Sequence, residues 1–308
     1  MREITLEELL EAGCHFGHQV TRSNPKARDF VFEARDNIHI IDLAKTKQGL
    51  EEAGEFVKNL AAQGGNLLVV ATKRQAQGII QEEIRRAKEV FEKSNKGQED
   101  GLYYVTNRWI GGILTNLPEV SKNFKKLSDL KEKLVNAEER AKYTKREIGL
   151  WEKEIQRLEA FYGGVATLKE KPDAMFIIDS HLEDLAVREA RNVGVKTVAI
   201  VDTNSDPLVI DYPIPANDDA VGSIQLIAAY IMDAWIEGRK AFETKAQKEA
   251  KNLESKVQNE ELKGKTPLRQ SSAEQEKKKT VKPKTKTKVA SKPKETKSKS
   301  NRQKTKKK

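Results

Sequence analysis

Three continuous apolar runs of strand length constrain this chain most: Asn66-Leu67-Leu68-Val69-Val70-Ala71-Thr72, Asp173-Ala174-Met175-Phe176-Ile177-Ile178-Asp179 and Lys196-Thr197-Val198-Ala199-Ile200-Val201-Asp202. Leu102-Tyr103-Tyr104-Val105 is a shorter fourth. A strand that is apolar on both faces has to be covered on both, which is the situation of a parallel sheet between helices. Helical patterns fall around these runs, at about Lys47 to Ala62, Gln75 to Lys93, Leu182 to Asn192 and Asp218 to Trp235, and Gly194 is placed to stop the third. The order β-α-β-α with one interruption predicts an α/β fold, a doubly wound and mostly parallel open sheet of the Rossmann or flavodoxin kind.

The interruption covers 117–163. Ile148, Trp151, Ile155, Leu158 and Tyr162 recur at alternating steps of three and four, a heptad seam, and Val120, Phe124, Leu127, Leu130, Leu134, Ala137 and Ala141 carry a similar stripe. Two antiparallel helices are expected to zip into an inserted coiled-coil hairpin. Thr144-Lys145-Arg146-Glu147 has the capping-box spacing that starts the second helix, and Gly163-Gly164 ends it. Such a projection adds little to the core of the body and suits reaching a partner. Its Lys122, Lys125, Lys126, Lys131, Lys133, Lys142, Lys145 and Arg146 can meet RNA phosphates, or form a solvated face with the interspersed Glu132, Glu138, Glu139 and Glu152.

The net charge of +10 over 308 residues is uneven. Residues 265–308 hold 18 Lys and Arg against three acids, whereas 39 bases face 44 acids ahead of them. With repeats such as Lys282-Pro283-Lys284-Thr285-Lys286-Thr287-Lys288, that tail cannot bury enough apolar surface to offset its ordering entropy, and disorder is expected. A basic tail can release counterions from nucleic acid or simply aid solubility. The expected division is therefore an RNA-binding α/β core over 1–238, a charged helical extension over 239–264 and a Lys-rich tail over 265–308. Cys14 is the single cysteine, and Met1-Arg2-Glu3 opens no apolar leader, so a reducing compartment is expected; no run reaches the roughly 20 apolar residues of a membrane helix.

Asn107-Arg108-Trp109-Ile110-Gly111-Gly112-Ile113-Leu114-Thr115-Asn116 is the richest short segment. Arg108 can fork onto phosphate, Trp109 offers a stacking face or a core anchor, and the two glycines permit close backbone approach. Enzymatic readings find less material. Asp179, Asp202 and Asp206 stand where strand-end carboxylates could hold a sugar or metal, but no dinucleotide glycine fingerprint or phosphate loop accompanies them, and Asp followed by Thr-Asn also suits a cap and turn. Cys14 and His15 are adjacent without a third orienting group. His15 and His18 with Asp202 or Asp206 fall short of a closed zinc set, and only four histidines exist for acid–base work.

Eight segments, taken together and in order, resemble the ribosomal protein S-two family in its bacterial and organellar form. They are Ala12-Gly13-Cys14-His15-Phe16-Gly17-His18, Asn24-Pro25-Lys26, Asn37-Ile38-His39-Ile40-Ile41-Asp42-Leu43, Thr72-Lys73-Arg74, the Asn107 to Asn116 block, Pro172-Asp173, Val201-Asp202-Thr203-Asn204-Ser205-Asp206-Pro207 and Ile214-Pro215-Ala216-Asn217-Asp218-Asp219-Ala220. The likeness spans Met1 to about Arg239. This chain has Ser23 where the family usually carries an aromatic and Asn107 where His is common, and it continues well past Arg239.

The resemblance implies a structural, non-enzymatic component of the small ribosomal subunit that binds its RNA where head and body meet and touches neighbouring ribosomal proteins. It further implies docking of ribosomal protein S-one, where present. On its basis RNA contacts are expected at Arg22, Lys26, Lys73, Arg74, Arg108, Trp109, Gly111, Gly112, Thr115, Asn116, Lys122 and Lys125, through cations and backbone amides, with phosphate contacts dominating affinity. No cofactor, metal ligand, membrane partner or small-molecule substrate is expected. The location implied is the cytoplasmic ribosome, or an organellar one if the protein is encoded there. A free-standing α/β enzyme and a hairpin-based protein adaptor are the competing classes.

Overall fold

All four apolar runs become neighbours in one sheet. The computed structural model of the chain describes residues 2–92 and 101–263. It opens with helix α1 (Leu6–Glu11), strands β1 (Phe16–Gln19), β2 (Val31–Arg35) and β3 (Ile38–Ile41), and helix α2 (Leu43–Ala62). Strand β4 (Leu67–Val70), helix α3 (Arg74–Glu92) and strand β5 (Leu102–Val105) follow. Next come helices α4 (Leu117–Val135), α5 (Ala137–Arg140) and α6 (Lys145–Tyr162), strand β6 (Ala174–Ile177), helix α7 (Asp184–Val193), strands β7 (Lys196–Val201) and β8 (Tyr212–Pro215), and helix α8 (Val221–Lys263). Both sheets belong to one compact unit, 1–256. The expected Lys-rich tail, 265–308, lies outside the described residues.

The main sheet runs β5-β4-β6-β7-β8 with every pair parallel. Counting its strands in chain order gives 2-1-3-4-5, the flavodoxin-like variant of the doubly wound sheet. The apolar runs are buried on both sides, as parallel strands require. Leu67, Val69, Phe176 and Ile200 face Val57 of α2, Ile80 of α3 and Ile227 and Trp235 of α8. Leu68, Val70, Met175 and Val201 face Val187 and Ala190 of α7 together with Trp109, Phe124 and Leu158. The fifth strand, β8, escapes the apolar-run criterion because Pro213 and Pro215 interrupt it; it lies at the sheet edge, where a missing N–H is tolerated. Gly194 ends α7 in the left-handed region at φ +76°.

Strands β1, β3 and β2 make a small antiparallel sheet that the hydropathy pattern does not announce, since β2 is largely exposed. Asp36 and Asn37, at φ 51° and 63°, form the tight turn between β2 and β3. The N-terminal segment is seated on the ends of β7 and β8: Asn24 N donates to Thr203 O at 2.7 Å, His18 N to Thr203 Oγ1 at 2.8 Å, and Asn217 N to Cys14 O at 3.1 Å.

Helices α4 and α6 pack antiparallel, because Asn123 lies against Tyr162 while the later Lys133 lies over the earlier Trp151. Val120, Phe124, Leu127, Ile155, Leu158 and Tyr162 are buried between and beneath them. The Thr144 capping box forms, with Thr144 N donating to Glu147 Oε2 at 2.8 Å. One expectation is corrected here. Ala137 and Ala141 are exposed and do not extend the stripe, because Asn136 leaves helical geometry at ψ 109° and its side chain caps α5. Helix α8 starts after the expected Asp218, since Asn217 Oδ1 accepts from Asp219 N and Ala220 N to make a turn first.

Candidate nucleic-acid interface

Every strand of a parallel sheet ends on the same side, so the segments after β4, β5, β6, β7 and β8 all leave the carboxyl edge. Thr72-Lys73-Arg74, the 106–116 loop, Asp179, Asp202 and Asn217-Asp218-Asp219 are therefore brought to one side of the molecule. The contacts to Thr203 and Asn217 add residues 14–26 to it.

The 106–116 loop is shaped by a residue distant in sequence. Glu189 of α7, only 6% exposed, accepts from Gly112 N at 2.7 Å and Trp109 Nε1 at 3.3 Å on Oε1. Its Oε2 accepts from Leu114 N at 3.2 Å, Thr115 N at 3.3 Å and Thr115 Oγ1 at 3.2 Å. Gly112 adopts φ +97°, a conformation that favours glycine, and so turns its N–H toward the carboxylate. Gly111 is exposed, with φ outside the left-handed region. Asn116 begins α4 without a side-chain cap, its N bonded to Gly112 O at 2.8 Å.

This geometry revises the expected contacts. Trp109 is 6% exposed and packs in the core, so it offers no stacking face on the surface of the chain. The amides of Gly112, Leu114 and Thr115 are occupied by Glu189 and are not available to phosphate. Arg108, by contrast, is exposed, and its side chain makes no hydrogen bond or ion pair among the described residues. The same holds for Arg22, Arg74 and Lys125. Lys26 pairs with Asp206 at 2.5 Å and Lys122 with Glu119 at 2.6 Å, both at exposed positions where such pairs exchange readily for other partners.

Lys73 is the largest departure. Its side chain is 14% exposed, with Nζ 2.7 Å from Asp218 Oδ1, 2.7 Å from Asp219 Oδ1 and 3.1 Å from Asp179 Oδ2. Burial opposes its charge, but the three carboxylates outweigh burial and hold its pKa above the ordinary lysine value. Asp218 is fully buried; burial and the nearby Asp179 and Asp202 push its pKa up to about 7 despite Lys73. Lys73 is thus an internal counter-charge, not a free phosphate contact.

His18 completes this cluster. Its Nδ1 is 3.2 Å from Asp202 Oδ1 and its Nε2 3.6 Å from Asp219 Oδ2; the hydrogen bond to Asp202 raises its pKa against the opposing effect of burial. Ligand atoms of His18, Asp218 and Asp219 converge within 4.8 Å, the only such grouping of three among the described residues. The grouping differs from the one considered from sequence. His15 packs on Phe16 at 4.0 Å between ring centres, and Asp206 instead pairs with Lys26 and accepts from Leu208 N. Asp179 accepts from the His181 and Leu182 amides and Asp202 from Thr203 N and Oγ1, so both strand-end carboxylates bond to the turns that follow them.

Sequence reasoning passed over Glu189, which has no local signal because its partners lie 74 to 80 residues away. It also passed over Arg28 and Arg35, exposed and without a side-chain partner among the described residues, though Arg28 lies only two residues beyond Lys26.

A family model described as Ribosomal protein S2 matches residues 9–238. The small ribosomal subunit protein uS2 of Roseiflexus castenholzii is 48% identical over 238 residues, covering 77% of this chain and 85% of the relative. That of Roseiflexus sp. strain RS-1 is also 48% identical, with 77% and 86% covered. The counterpart from Acidobacterium capsulatum is 44% identical over 241 residues, with 77% and 74% covered. The chain belongs to the ribosomal protein S2 family, whose members are structural and not enzymes.

Proposed function

We propose that the chain is a structural constituent of the small ribosomal subunit that binds the subunit's RNA across the carboxyl edge of its parallel sheet. One observation carries the choice of surface: Arg22, Arg74 and Arg108 are exposed, lack side-chain partners among the described residues, and stand on segments gathered at that edge. Guanidinium groups in this state are ready to fork onto phosphates. Lys26 and Lys125 extend the same chemistry, and Arg28 joins it; the half-buried Lys73 and the buried Trp109 support the surface from within.

In this reading 1–238 is the RNA-binding core, and α4 and α6 form a coiled-coil arm that braces a second element of the subunit. Lys126 to Glu154 at 2.7 Å and Lys131 to Glu159 at 2.8 Å tie the two helices along their exposed flanks, which leaves Lys125 outward. Family membership supports neighbouring small-subunit proteins as partners, with ribosomal protein S-one among them where present, and a place on cytoplasmic ribosomes. No described helix is long and apolar enough to cross a membrane. Sedimentation of a native lysate in a sucrose gradient tests the reading. Co-migration with small subunits that persists at moderate salt is expected, and recovery only at the top of the gradient would overturn it.

A further inference from the structure

Among the described residues, the Glu189 carboxylate bonds to one loop and to nothing else. Its carboxylate accepts five hydrogen bonds, all from residues 109–115, and none from another segment among the described residues. Burying a carboxylate is costly unless it is fully hydrogen-bonded, and here the loop supplies every donor. Conversely, three backbone N–H groups of the loop have this carboxylate as their acceptor, so the loop's conformation and the side chain's burial depend on each other. Arg108 stands at the loop's entry, between Asn107, whose Nδ2 donates to Ala160 O at 2.8 Å, and Trp109, which is anchored in the core. The backbone that carries the free guanidinium is thereby fixed on both sides.

We infer that Glu189 is a positioning residue for nucleic-acid binding: it holds residues 109–115 so that Arg108 meets a phosphate with little backbone freedom left to lose. This rests on the proposed reading of Arg108 as an RNA contact. Pre-organisation of this kind raises affinity by lowering the ordering cost of association.

The test uses the full chain, with Glu189→Gln, Arg108→Ala and the double variant. Two quantities are read: the rate of tryptic cleavage at the Arg108–Trp109 bond, in the chains that keep Arg108, and the concentration for half-maximal incorporation into small subunits stripped of this protein. Glu189→Gln should cleave about tenfold faster and incorporate about tenfold more weakly, and the double variant should incorporate no worse than the weaker single variant, because both changes remove one coupled contact. Thr115→Val removes a single exposed donor and should shift both readings about twofold the same way, which keeps the test decisive if Glu189→Gln fails to fold by circular dichroism. Unchanged cleavage in both folded variants overturns the clamp. Faster cleavage with normal incorporation, or additive losses in the double variant, overturns the positioning role. Unchanged incorporation of Arg108→Ala instead strikes down the RNA reading itself, and cleavage then shows whether Glu189 is a structural brace alone.

Discussion

Lys73 Nζ lies 2.7 Å from Asp218 Oδ1, an ion pair in which the carboxylate is fully buried and the lysine side chain is 14% exposed. It joins the end of β4 to the turn that precedes α8, two segments 145 residues apart. Lys73→Met would leave Asp179, Asp218 and Asp219 without their shared counter-charge. Removing one partner of a buried pair costs about 3–5 kcal/mol, and urea unfolding should show a loss of that order. A change below about 1 kcal/mol would mean that water already screens the cluster.

The same cluster makes stability depend on pH. Asp218 is raised to about 7 in the folded protein, above its ordinary value near 3.8. The folded state therefore holds that proton more tightly, and the associated stability is complete below the unfolded pKa and is lost as pH rises through the folded one. His18, also raised, acts in the same direction in its own range. Between pH 4 and 8 the wild type should lose stability on going upward, and Asp218→Asn should lose less; parallel curves for the two proteins would refute the assignment.

Gly194 isolates a backbone effect. Nothing lies within 4 Å of the position a Cβ would take, yet its φ is +76°. Gly194→Ala should destabilise by about 1–2 kcal/mol from the left-handed conformation alone, and Gly194→Asn by less. Thermal unfolding of the two variants gives the order; equal melting temperatures would show that α7 ends differently in solution.

Arg108→Ala should weaken RNA binding without lowering the melting temperature, since the side chain touches no described residue through a polar contact. The slope of log affinity against log salt should fall in magnitude by about 0.9 if one phosphate contact is lost. Lys26→Ala should give a smaller drop, because part of its attraction is already used on Asp206 at 2.5 Å. Unchanged slopes for both variants would move the RNA to another face.

The apolar runs made four of the five parallel strands legible, because a doubly covered strand needs no partner to reveal its hydrophobicity. β8 and the small antiparallel sheet were not, since Pro213 and Pro215 obscure the first and exposure obscures the second. The Thr144 capping box could be read four residues at a time, whereas the end of α4 turned on the backbone angle of Asn136. Of the expected contacts, Arg22, Arg74, Arg108 and Lys125 are outward and unpaired among the described residues, while Lys73 and Trp109 point inward.

The sequence by itself determined the fold class, the inserted helices and the family likeness, because these depend on periodicity and on short segments in order. It did not determine which cations are free. Lys73 and Arg74 are adjacent residues with opposite fates: one is enclosed by three carboxylates contributed from the ends of β6 and β8, the other is left in solvent. Only the tertiary structure decided this, because burial and counter-charge are supplied by segments more than a hundred residues away. The same physics placed Glu189 under the 106–116 loop, where its carboxylate, and not an external phosphate, takes the loop's amides.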